Sequence, residues 1–167
     1  MFQNEYVSTW QNHTSSDKRI PDCHCPMPIR SNDAPSPRQR LEEERTAYLD
    51  ELPTPNPDWP ADVRAIMDGV NEHLFEPDLR VRDVREQCGC YNNNISAHVE
   101  YYVGMGIKAY IVHHRLALAK RLLQQTNVPI KYIAWTVGYE TPSAFSTIFK
   151  RWTGCTPTEF RKKSRDC

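Results

Sequence analysis

The chain has 167 residues, 13 of them Pro, 6 Gly and 6 Cys, and a formal net charge of zero. That is about one domain's worth and allows a modest core, while the composition excludes collagen-like and coiled-coil chains and shows no apolar run near the roughly 18 to 20 residues that span a bilayer. The opening "MFQNEYVSTW" lacks a basic segment followed by an apolar stretch, so a cytoplasmic location and free thiols are expected.

The neutral total hides a gradient. Residues 1–56 hold 6 Lys/Arg against 9 Asp/Glu and residues 57–100 hold 4 against 9, but residues 101–167 hold 11 against 3. Charges farther apart than a Debye length of about 8 Å are largely screened at physiological salt, so the last third can attract phosphate even though the whole molecule is neutral.

Residues 1–56 read as a Pro-rich and polar tail and linker, mostly disordered, because so little apolar surface cannot repay the entropy of ordering. Within it, residues 37–51, "PRQRLEEERTAYLDE", predict at most one short exposed helix stopped by the Pro-rich stretch that follows. Cys23 and Cys25 in "DCHCP" are two thiols where a closed tetrahedral metal site needs four ligands, and Cys88 and Cys90 complete one only if the tail folds back. No metal and no cofactor are expected. Cys88 and Cys155 stand where apolar residues pack.

From Pro60 onward the pattern is helical. "ADVRAIMDGVNEHLFE" sets Val63, Ile66, Met67, Val70 and Leu74 on one stripe. Shifting the chain by 49 residues places Met67, Val70 and Leu74 on Leu116, Ala119 and Leu123, and Gly89 on Gly138. With an offset of 50, Ile95, Val99 and Gly104 then fall on Phe145, Phe149 and Gly154. Each copy reads as helix, short helix, Gly-containing turn, helix, which is a helix-turn-helix with its preceding helix. The expected fold is all-α: subdomain one over about 60–105, a linker helix over about 107–125 and subdomain two over about 128–165, in a domain covering 57–167.

In the second unit Phe145, Ile148, Phe149 and Trp152 are spaced to pack inward. That leaves Pro142, Ser143, Ser146, Thr147, Lys150 and Arg151 on or beside the outer face, Pro142 suiting the first turn with Thr141 before it as a candidate cap, and with small residues able to approach base edges and cations able to meet phosphates. In the first unit Ile95, His98, Val99 and Tyr102 are the inner positions, and Asn92, Asn93, Asn94, Ala97, Glu100 and Tyr101 the outer ones. The three Asn residues admit two readings: bidentate contact with adenine, or the ordinary preference of Asn for helix starts and turns.

At "RLALAKRLL" from Arg115 and "IKYIAWTVGYETPSAFSTIFKRWTGCTPTEFR" from Ile130 the chain resembles the DNA-binding domain of AraC/XylS-type bacterial transcription regulators. The resemblance covers Pro60 to about Arg165. It implies seven helices, two homeodomain-like helix-turn-helix units bridged by a long helix, and contact with two successive major-groove segments of double-stranded DNA. By position, DNA contacts fall on Asn92, Asn93, Asn94 and Ala97 in the first unit and on Thr141, Pro142, Ser143, Thr147 and Lys150 in the second, with Arg151 beside them. Members often have a long donor where Ala97 and Thr147 stand here and a basic residue where Glu100 stands. The resemblance is to small forms without a large effector domain, so a small-molecule effector is not expected.

Two rival functions have different signatures. DNA-repair methyl-acceptor proteins use this kind of unit beside a four-cysteine zinc domain, and that pattern is missing, so no enzyme is expected. A protein–protein adaptor would instead use the acidic stretch of residues 57–100 to dock on RNA polymerase or another regulator, with little DNA contact.

Overall fold

The computed structural model describes residues 35–165. Along them run α1 (Pro37–Asp50), α2 (Ala61–Glu72), α3 (Val81–Gln87), α4 (Ile95–Val103), α5 (Ile107–Gln125), α6 (Ile130–Thr136), α7 (Pro142–Thr153) and α8 (Pro157–Lys163). Among the described residues there is no strand. The expectations for Cys23, Cys25 and the first part of the tail lie outside the described residues.

Helix α2 packs on α3 and α4, α7 packs on α6 and α8, and α5 touches α4, α6 and α8, so the long helix is shared by two three-helix units. The predicted stripe is the core of the first unit: Val63, Ile66, Met67 and Val70 on α2, and Leu74 just after it, are all buried. The duplication is also visible in the backbone, since the paired glycines Gly104 and Gly154 end α4 and α7 with the same φ of 80°.

Arg115 joins the two units. It lies on α5 and is buried, yet among the described residues no carboxylate lies within ion-pair distance of it. Its Nε donates to the Leu74 carbonyl at 2.8 Å, one terminal nitrogen to the Glu76 carbonyl at 2.6 Å and the other to the Gly138 carbonyl at 2.6 Å. Two of these oxygens follow α2 and the third belongs to the turn between α6 and α7. A planar fork of donors suits this task, which a flexible ammonium could not perform.

Three expectations are corrected. Trp152 is 51% exposed rather than inward, and it is Phe160 of α8 that meets Phe149, edge-on with centroids 5.5 Å apart. Tyr102 is 39% exposed, edge-on to Tyr101. His98 is half-exposed, with Nδ1 3.5 Å from an Asp62 carboxylate oxygen, so it packs at the rim of the core rather than inside it.

Helix α1 forms where "PRQRLEEERTAYLDE" predicted a helix, but it is docked rather than free-standing. Ser36 and Gln39 form a reciprocal capping box at its start, and it packs on α5 and α6. Leu41 is 2% exposed, Tyr48 bonds His114 Nδ1 through its hydroxyl at 2.8 Å, and Arg121 of α5 holds Glu44 and Glu51. Burial, with smaller effects of nearby Tyr110 and Glu51, pushes the Tyr48 phenol up to about 12. Truncating Leu41 to Ala should cost about 2 to 3 kcal/mol of this docking. Hydrogen exchange checks it: amides of α1 should exchange much faster in the variant while those of α2 keep their protection, and equal effects on both would show that α1 is not a separate layer.

Candidate nucleic-acid interface

Helix α7 is sharply bounded. Pro142 occupies its first turn, where a missing N–H costs nothing, and the Thr141 hydroxyl accepts the Ala144 N–H at 3.2 Å. Phe145 and Phe149 are fully buried, which turns the opposite face outward. Thr141, Ser143, Thr147, Lys150 and Arg151 are exposed there, with Pro142 and Ser146 half-buried at the edge.

The chemistry of that face is graded along the helix. Ser146 donates its hydroxyl hydrogen to the Pro142 carbonyl at 2.8 Å and Thr147 donates to that of Ser143 at 2.9 Å. In this orientation both oxygens offer only lone pairs, which suits amino donors such as adenine N6 or cytosine N4. Lys150 and Arg151 follow in the last turn, where cations are favoured by the helix dipole. Among the described residues neither has a carboxylate within ion-pair distance. The front of α7 can meet base edges and its rear can meet phosphates.

The first unit is arranged differently. Asn92, Asn93 and Asn94 are exposed, but they precede α4 instead of forming its first turn, since Ile95 is the first helical residue whereas its counterpart Phe145 is the fourth of α7. The Asn92 side chain is already engaged: its oxygen accepts the Asn94 N–H at 2.9 Å and its amide donates to Asp62 at 3.3 Å. This is the turn-forming use of Asn, and it competes with helix formation. Burial pushes the Asp62 carboxyl up, but hydrogen bonds from Asn92 and the Val63 N–H, with the nearby His98 ring, outweigh it and hold the group below its ordinary range. Ala97, Glu100 and Tyr101 are exposed on α4, with Tyr101 at 82%. No cation lies on that helix.

Two features escaped sequence reasoning. Arg85 braces the turn before α4 by donating to the Asn92 carbonyl at 3.1 Å, and nothing in the spacing of Arg85 announces this. Trp152, with Lys108, Ala109, Val112, Ile148 and Arg151, lines an open groove between α5 and α7. Its sequence signal was a tryptophan on the apolar stripe, which pointed inward.

Comparison with known proteins agrees with this geometry. A family model described as a helix-turn-helix domain matches residues 85–163. The arabinose operon regulatory protein of Escherichia coli (strain K12) is 27% identical over 99 residues, covering 59% of this chain and 34% of that protein. A putative AraC-like transcription regulator of Streptomyces lividans is 34% identical over 82 residues, covering 49% of this chain and 27% of the relative. The chain thus spans about a third of the length of these relatives. Among solved structures, the C-terminal domain of AraT, a response regulator from Geobacillus stearothermophilus, superimposes with a TM-score of 0.59 at 28% identity, covering 64% of this chain and 88% of that one.

Proposed function

Residues 85–163 belong to the AraC/XylS type of helix-turn-helix domain, and from that premise we propose that the protein is a DNA-binding transcription regulator that inserts α7 and the start of α4 into successive major-groove segments. One observation carries the reading. The outer face of α7 passes from small acceptors to Lys150 and Arg151, both exposed and unpaired among the described residues, over a fully buried Phe145–Phe149 seam. Base readout falls to Thr141, Pro142, Ser143 and Thr147, and phosphate contact to Lys150 and Arg151. The first unit contributes Asn93, Asn94 and Ala97, while Asn92 shapes the turn that presents them.

Salt titration of duplex binding tests this. Affinity should fall steeply with salt, and Lys150→Ala should make the slope of log affinity against log salt shallower by about 1, the value of one phosphate contact. A flat titration for the unaltered chain would remove the DNA reading.

A second reading rests on α4, which exposes Glu100 and Tyr101 and carries no cation. That face fits a protein surface such as RNA polymerase better than a phosphate backbone, so the first unit serves as a contact for the transcription machinery while the second holds DNA. This reading makes the regulator an activator, acting in the cytoplasm. Charge reversal at Glu100 should then reduce transcription from a bound promoter without weakening DNA binding.

A further inference from the structure

Helix α1 lies outside the matched domain, and its first turn brings two cations to an unexpected place. Arg38 shares a groove with Val128, Pro129 and Tyr132, and Arg40 lies along the loop from Gln125 to Pro129. Both side chains are exposed. Lys131 stands over the Tyr132 ring, its Nζ 4.9 Å from the ring centroid. Arg165, after α8, reaches the same loop by bonding the Asn127 side chain and the Thr126 carbonyl. Three elements distant in sequence therefore gather four cations where the chain enters α6.

The acidic residues of α1 do not cancel them. Glu44 and, just past α1, Glu51 hold Arg121, and Glu42, which lies near Arg38, pairs with Arg45 at 3.7 Å, while Glu43 and Asp50 are exposed and form no ion pair among the described residues. Among the described residues no carboxylate lies within ion-pair distance of Arg38, Arg40 or Lys131. Arg40 donates its Nε to the Pro35 carbonyl at 3.1 Å, which leaves its terminal nitrogens to point elsewhere.

We infer that Arg38 and Arg40 of α1, together with Lys131, form a phosphate-binding patch that extends the DNA contact of the second unit along the sugar–phosphate backbone. The inference rests on the DNA reading above. In a helix-turn-helix the first helix crosses the backbone while the second enters the groove. Here the first helix is α6, so cations beside its beginning lie where phosphates pass when α7 is in the groove. An open patch of cations, unpaired with carboxylates among the described residues, along the rim of a groove floored by Val128, Pro129 and Tyr132 suits an extended polyanion. It also gives the docking of α1 a consequence for binding, because α1 delivers two of the charges.

The test uses the full chain and a mixed-sequence 40-base-pair duplex, titrated with salt. The double variant Arg38→Gln, Arg40→Gln should retain its helix content and make the slope shallower by about 2, close to 0.9 for each lost contact. Arg38→Lys, Arg40→Lys should restore the slope, because charge rather than the Pro35 hydrogen bond is at issue. A slope unchanged in the glutamine variant, while Lys150→Ala still lowers it by about 1, overturns the patch and leaves the DNA reading standing. A salt-independent titration of the unaltered chain overturns both.

Discussion

Replacing Arg115 by Met should lower the free energy of unfolding by about 2 to 6 kcal/mol, read by urea denaturation followed by circular dichroism. The side chain keeps much of its volume, so cavity formation is minor. What changes is that the carbonyls of Leu74 and Gly138 lose their shared donor in a buried region, while that of Glu76, at an exposed residue, keeps the Leu79 N–H at 3.3 Å. Leaving a buried polar group unsatisfied costs about 1 to 3 kcal/mol, and here there are two of them. Burial pulls the guanidinium of Arg115 below its ordinary value, with Tyr139 opposing, the mark of a charge held away from water and compensated by backbone dipoles and the Tyr139 ring 5.5 Å away. Arg115→Lys should lose an intermediate amount, since one ammonium cannot span three oxygens in the same plane. A loss below about 1 kcal/mol in the Met variant would mean that water replaces the guanidinium and that Arg115 does not join the units.

The functional consequence should exceed the loss of stability. Two weak DNA-reading units act as one strong site only if their spacing is held, and a rigid link of this kind can raise avidity by about a hundredfold to ten-thousandfold over either alone. An Arg115 variant kept folded at low temperature should therefore select a shorter DNA motif than the unaltered chain.

The parts of this arrangement that were legible in the sequence are those fixed by local periodicity. The α2 stripe repeats every three or four residues, and all its members are buried. The start of α7 was readable because Thr141 and Pro142 each favour one position, cap and first turn. Asn92 was ambiguous for the opposite reason, since the same side chain can cap, turn or read a base, and only the packing of α2 against the turn, through Asp62, engages it. Arg115 was hidden because its partners are backbone oxygens, which leave no trace in a pattern of residue types. The docking of α1 was hidden by distance: Tyr48 meets His114 across 66 positions and Glu51 meets Arg121 across 70, while Leu41 is the only one of its residues that is deeply buried.

Gly138→Ala should cost about 2 to 5 kcal/mol, more than the same change at Gly89, and the contrast between the two tests the link between the units. Both glycines have positive φ, 62° at Gly89 and 86° at Gly138, a conformation that costs an L-residue about 1 to 2 kcal/mol. A methyl group at Gly89 would meet nothing within 4 Å, so that strain is the whole penalty there. At Gly138 a Cβ would lie 2.8 Å from the Phe75 carbonyl oxygen and 2.9 Å from the Arg115 guanidinium carbon. Neither can yield easily, because the guanidinium is fixed by three hydrogen bonds and Phe75 is buried between the residues that supply two of them. Relieving the overlap means parting the turn of the second unit from the end of the first, adding about 1 to 3 kcal/mol of overpacking strain. Since Arg115 and Gly138 act on one contact, combining Arg115→Met with Gly138→Ala should cost clearly less than the two single losses together. Equal penalties at Gly89 and Gly138, or strict additivity in the double variant, would show that the two units touch at this point without being held by it.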